Sequence, residues 1–152
     1  MGNTLAFDSE HLSPINTFEL LSKVTKAVVI HGFSFIEGLE FGLKECLMLG
    51  RHTSVLHFAE DQVCRYVWAH QKTQPWGHPL PLQCPQCGIL KPWIVVHVSH
   101  IMGYNVGCCN KDCGTRNGLK KEEPYSFQIH RPACDRVLPA GPGCSWLKFV
   151  VV

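Results

Sequence analysis

Four cysteines in the second half of the chain carry the clearest chemistry. They are Cys84 and Cys87 in CPQCG, and Cys108 and Cys113 in CCNKDCG. Each pair sits in a short turn closed by a glycine, and about twenty residues separate the pairs. Two such turns joined by a β-hairpin place four thiolates at the corners of a tetrahedron, about 2.3 Å from one zinc ion. The closing glycines let the backbone turn sharply, so that its N–H groups point at the sulfurs. A site of four thiolates is closed and leaves no position for water or substrate. One structural Zn2+ per chain is therefore expected, stabilising the fold rather than catalysing a reaction. Cys109 competes with Cys108 for the third ligand position, and Cys108 is preferred.

The motifs resemble the zinc-ribbon class. CPQCG is similar to its first knuckle. GCCNKDCG is similar to the second knuckle of the ribbons at the C-termini of bacterial type I topoisomerases, which often read Gly-Cys-Ser-Asn before the last cysteine. Here the second pair is one residue tighter than usual, and Cys109 stands where that serine would be. The resemblance covers residues 82–118 and implies a fold and a metal, not an activity. The segment Pro75-Trp76-Gly77 through Pro81 into CPQCG also resembles uncharacterised multidomain proteins of mushroom-forming fungi, which implies a module of a larger protein.

Three further constellations could do chemistry. Lys91, Lys111, Arg116, Lys120 and Lys121 lie in or just after the ribbon, with Trp93 and Tyr104 on its expected strands. Cations interleaved with aromatic rings suit single-stranded nucleic acid, whose bases stack while its phosphates meet Lys and Arg. The ordinary alternative is a solvated turn, since Glu122 and Glu123 follow Lys120 and Lys121. A second constellation is His31 with Glu60 and Asp61, which would work as a general base and its partner if they stand at the carboxyl ends of parallel strands. Polar residues at strand ends are the blander reading. The third is His130, Cys134 and Cys144, which with His70, His78 or Cys64 would make a looser second metal site; separate histidines and buried thiols are the commoner outcome.

Composition bounds these readings. At 152 residues, 45% of them apolar, the chain can bury one ordinary core with a small satellite. A formal net charge of +2 is too small for a dedicated nucleic-acid binder, so any such contact must be a local patch. Nine cysteines, an odd number with CxxC spacing, point to a reducing compartment, cytosol or nucleus. No apolar run has membrane-spanning length and no signal-peptide pattern opens the chain. The start MGNTLA places Ala6 where a myristoylation site wants Ser or Thr.

The elements that must position these residues read as an α+β fold. Residues 1–13 are expected to be a loose lead-in. Ser13-Pro14 opens a helix to about Lys26, and Ala27 to Ile30 suits a buried strand. Ser34-Phe35-Ile36-Glu37 is a capping box opening a second helix, which Gly50 is placed to close. On that helix Ser34, Gly38, Gly42 and Cys46 form a small-residue stripe expected to face the sheet. Thr53 to Ala59 is the next strand, completing a right-handed parallel βαβ unit within an α/β subdomain of residues 14–70. Val63 to Trp68 is a third strand. Residues 71–83 are a Pro-rich connecting loop, and residues 84–152 form the ribbon with further antiparallel strands, Pro139 to Gly143 being a turn. The leading function is a zinc-binding module that contacts single-stranded nucleic acid. The alternative is a zinc-stabilised protein–protein interaction module of a larger protein, and a hydrolase is a lesser possibility.

Overall fold

The computed structural model describes residues 2–9, 12–99, 103–116, 118–120 and 122–151. The class is α+β, and the chain divides into two units, residues 1–69 with 133–152, and residues 70–132.

The first unit holds β1 (Thr4–Asp8), α1 (Pro14–Val29), α2 (Phe35–Glu45), β2 (Ser54–Phe58), β3 (Val63–His70), β9 (Arg136–Gly141) and β10 (Cys144–Val150). Its sheet has the order β1-β2-β3-β10-β9. The pairs β1–β2, β2–β3 and β9–β10 are antiparallel. Leu20 and Val24 of α1, Leu39 and Leu43 of α2, and Val55, Tyr66, Trp68, Leu138 and Trp146 of the sheet build one core. The Trp146 indole donates to the Leu43 carbonyl at 2.8 Å, and the Trp68 and Trp146 rings meet edge-on at 5.3 Å. Glu40, buried on α2, accepts from Arg136 at 2.8 Å and Lys148 at 3.2 Å, so its charge is taken inside with two partners.

Several expectations are corrected here. Ala27 to Val29 continue α1 instead of forming a strand. Ala27 is buried one turn beyond Leu20 and Val24, and nothing between Lys26 and Ala27 breaks the helix. The parallel βαβ unit is therefore absent, and β2 enters the sheet between β1 and β3. Residues 4–8, read as a lead-in, pair with β2 along its whole length. The stretch around Pro139 is β9, not a turn. Proline is tolerated there because β9 is the edge strand and the ladder shifts register between Cys144 and Ser145, beside Pro139. The last two strands join the first unit's sheet rather than the ribbon region.

The capping box forms as read: the Glu37 N–H donates to Ser34 Oγ, and the Glu37 carboxylate accepts from the Ser34 N–H at 2.9 Å. The glycine stripe of α2 faces α1, not the sheet. A Cβ on Gly38 would lie 2.9 Å from Val28 Cγ2, and one on Gly42 would lie 3.1 Å from Leu20 Cδ1 and 3.2 Å from Val24 Cγ2. Two glycines thus let the helices approach closely, which offsets the helix propensity they forgo. Gly50 does not close α2, which ends at Glu45; it lies in a 3-10 turn where a Cβ would meet the Trp68 side chain at 2.5 Å.

The second unit holds β4 (Trp93–Ser99), β5 (Gly103–Cys108), β6 (Thr115–Arg116), β7 (Leu119–Lys120) and β8 (Ser126–Ile129). The sheet β4-β5-β8 is antiparallel throughout, and β6 pairs with β7 as a small ribbon.

Two outcomes follow for stability. Gly42→Leu should overpack the α1–α2 contact and cost about 1–3 kcal/mol in denaturant unfolding; unfolding at the parent midpoint would mean that α2 does not depend on this approach. His57 is 1% exposed, its Nε2 lies 2.9 Å from Asn3 Oδ1, and Phe35 stacks on its ring. Burial, with Lys148 adding to it, holds its pKa below the ordinary 6.5. The unfolded chain then takes up a proton that the folded one refuses, so this contribution is complete above pH 6.5 and is lost as pH falls further below it. Melting temperature should fall between about pH 7 and pH 5, and His57→Gln should make that fall shallower.

Candidate metal centre

The first pair is held in a hairpin that closes on itself. Lys91 N–H donates to the Leu82 carbonyl at 2.8 Å, Cys84 N–H to Ile89 at 2.9 Å, and Gly88 N–H to Cys84 at 2.8 Å. The second pair starts at the end of β5. Cys108 N–H donates to the Tyr125 carbonyl at 2.9 Å, and Cys113 N–H to Asn110 at 3.0 Å. Gly114 is required there: its φ is +82°, and a Cβ would lie 2.2 Å from the Glu122 carbonyl oxygen.

These two turns bring the Sγ atoms of Cys84, Cys87, Cys108 and Cys113 within 4.8 Å of one another. Cys84 and Cys113 are 3.9 Å apart, and Cys87 and Cys108 are 3.7 Å apart. A tetrahedron with metal–sulfur bonds of about 2.3 Å has edges of about 3.8 Å, so the spacing fits one central ion. The three sulfurs of Cys84, Cys108 and Cys113 are buried with their residues, and Cys87 is half-buried. Cys109 is exposed and stands outside the cluster; its N–H is spent on the Pro92 carbonyl at 2.7 Å.

The surroundings prepare the sulfurs for negative charge. Asn110 through its side chain and Ile89 through its N–H donate to Cys87, which holds this thiol down at about 6. The Asn110 N–H also serves Cys108, and the Tyr125 N–H reaches Cys113 Sγ at 3.5 Å. Burial nonetheless pushes the metal-free Cys108 thiol up to about 12. Four thiolates this close need a cation among them, and binding it releases the remaining protons. Asn110, Ile89 and Tyr125 are supporting residues that sequence reading did not single out. The signal for Ile89 was present in its place after Gly88; that for Tyr125 was not, since it lies twelve residues beyond Cys113.

Among the described residues no other group of three or more His, Cys, Asp or Glu is gathered closely enough to hold an ion. His31, Glu60 and Asp61 are exposed, and the parallel strand ends that would have aligned them do not exist: His31 follows α1, and Glu60 and Asp61 lie in the β2–β3 turn.

The residues read as a nucleic-acid face are distributed differently. Trp93 is half-buried and packs on the cysteine cluster. Its indole donates to the Pro81 carbonyl at 2.6 Å, and its ring meets Phe127 at 5.4 Å and Tyr125 at 6.1 Å. Tyr104 is half-buried with its ring 5.9 Å from Trp76. Lys91 and Lys111 are exposed. Arg116 lies in β6 and Lys120 in β7, while Lys121 lies outside the described residues. Among the described residues no helix is long and apolar enough to cross a membrane. The chain matches no known protein family, no curated protein and no solved structure.

The geometry separates the two neighbouring thiols. Cys108→Ser should lose the bound metal and unfold the second unit, whereas Cys109→Ser should keep a metal-to-protein ratio near one. The check is elemental analysis of reduced protein with circular dichroism; metal retained without Cys108 would put Cys109 in its place.

Proposed function

We propose that this chain is a zinc-binding interaction module: a ribbon-type unit stabilised by one Zn2+ on Cys84, Cys87, Cys108 and Cys113, carried with a helical surface that docks a partner protein. The sulfur spacing of 3.7–3.9 Å supports the metal. A tetrahedron of thiolates suits zinc or iron, and a closed site whose role is to hold two turns together suits zinc, which brings no redox chemistry. No ligand position is left over, which favours a structural role.

The observation that carries the partner is the outer face of α1. Leu20, Val24 and Ala27 turn inward. Opposite them, Ile15, Phe18, Ser22, Thr25 and Val29 are all exposed, at alternating three- and four-residue spacing and without a charge. Ile15 is 80% exposed, Phe18 74% and Val29 75%. Such spacing is a seam for another helix, and large apolar side chains left in water are stabilised by covering them. The partner is then a helix with an apolar stripe of its own. Single-stranded nucleic acid is the second reading. It is supported by a cavity of about 390 Å³ where Lys72 and Lys91 meet Trp93, Leu80 and Leu82.

Elemental analysis should find one zinc per chain and a colourless protein; a coloured, iron-loaded protein would overturn the metal assignment. For the partner, Phe18→Glu with Val29→Glu should leave zinc content and melting temperature unchanged and remove the proteins captured by the parent chain. A labelled single-stranded oligonucleotide should fail to bind even at about 20 mM salt, where screening is least. Binding there that weakens about twenty- to fiftyfold when salt is raised fourfold would establish the nucleic-acid reading instead.

A further inference from the structure

We propose that β4 is a self-pairing edge: two copies of the chain join β4 to β4, antiparallel across a two-fold axis through Val96, into one six-stranded sheet. This rests on neither the α1 surface nor the identity of the metal.

Edge strands of proteins that stay apart carry guards such as Lys, Glu or Pro within the strand. β4 stands at the edge of the order β4-β5-β8, and its sequence WIVVHVS contains no Lys, Arg, Asp, Glu or Pro. Its side chains alternate. Trp93 and Val95 are half-buried, while Ile94 is 55%, Val96 55% and Val98 46% exposed. Ile94 and Val96 line a groove of about 490 Å³ whose other lining includes Asn105, Gly107, Ser126 and Gln128, and alternation puts Val98 on the same face of the strand. No charged side chain lines that groove, so nothing there repels an apolar strand.

The occupant follows from the pattern itself. Residues directly opposite in an antiparallel pair point to the same face. A two-fold axis at Val96 sets Val96 against Val96 of the second copy, and Ile94 against Val98. Every exposed apolar side chain of the strand then finds an apolar partner. The same axis makes the contact isologous and closed, because each copy spends its one β4 edge. The ladder between β4 and β5 is regular from Trp93 to His97 and shifts before Ser99, so the backbone around the axis is regular strand.

Sedimentation velocity of the metal-loaded full chain tests this. The 17.1 kDa chain should shift toward twice that mass as concentration rises from about 1 to 100 µM. Val96→Lys sets two ammonium groups against each other at the axis and should weaken association at least about tenfold, while Val96→Thr, which keeps strand propensity, should associate like the parent. Circular dichroism and metal content check that Val96→Lys is folded. In a Cys109→Ser background, Val96→Cys should be joined to itself by a short bifunctional thiol reagent, with the 96–96 link read by peptide mass spectrometry. A monomer at every concentration, a dimer that survives Val96→Lys, or the lack of a 96–96 link would each overturn the proposal. So would a dimer dispersed by Phe18→Glu and not by Val96→Lys, which would place the interface on α1.

Discussion

Four sulfurs within 4.8 Å of one another set the terms for the second unit. As thiolates they repel, and burial makes their charge costlier still; with a divalent cation at the centre the same crowding becomes four bonds. The details around them serve that conversion. Two hairpin-like turns supply the sulfurs, and Gly114 takes a backbone angle and a closeness to Glu122 that a side chain would forbid. The N–H groups of Ile89, Asn110 and Tyr125 aim at sulfur. Trp93 seals one side with its ring and spends its N–H on Pro81, which fixes the start of β4 beside the cluster.

The first unit shows no such centre among its described residues. Its cohesion comes from a helix pair brought close by Gly38 and Gly42, and from a core in which Trp68, Trp146, Leu39 and Leu43 meet. Its buried polar groups are tied off where they carry charge, as Glu40 is by Arg136 and Lys148. The helix pair has one inner and one outer side, and the outer side of α1 leaves Ile15, Phe18 and Val29 in water around Ser22 and Thr25. The two units therefore offer different kinds of surface. One presents a helical seam, suited to side-chain packing. The other presents a strand edge, suited to backbone pairing, whose first residue, Trp93, packs against the cysteine cluster.

What the sequence determined was what short spacing controls. The four ligands, the glycine-closed turns and the Ser34–Glu37 capping box are set by residues within a few positions of one another, and each was legible before any coordinates. So were the alternation of Val63 to Trp68 and the hairpin between the two knuckles, since a period of two needs only one strand to be seen. The tertiary structure decided what depends on partners far away in sequence. Ala27 to Ile30 reads as a strand because a run of four apolar residues satisfies that period as well as a helical one; the tertiary structure continues α1 through Val29, with Ala27 and Val28 packed against Gly38. Thr4–Asp8 has no pattern of its own and becomes a strand only because β2 presents an edge. Residues 136–141 do so beside β10 in spite of Pro139. Whether Trp93 is a stacking ring or part of a core cannot be read from its position on a strand; its bond to Pro81 and its packing on the cysteine cluster decide it. Spacing along the chain fixes which atoms can reach one ion, but which face of a helix or ring is left in water is settled by whatever packs against the other face.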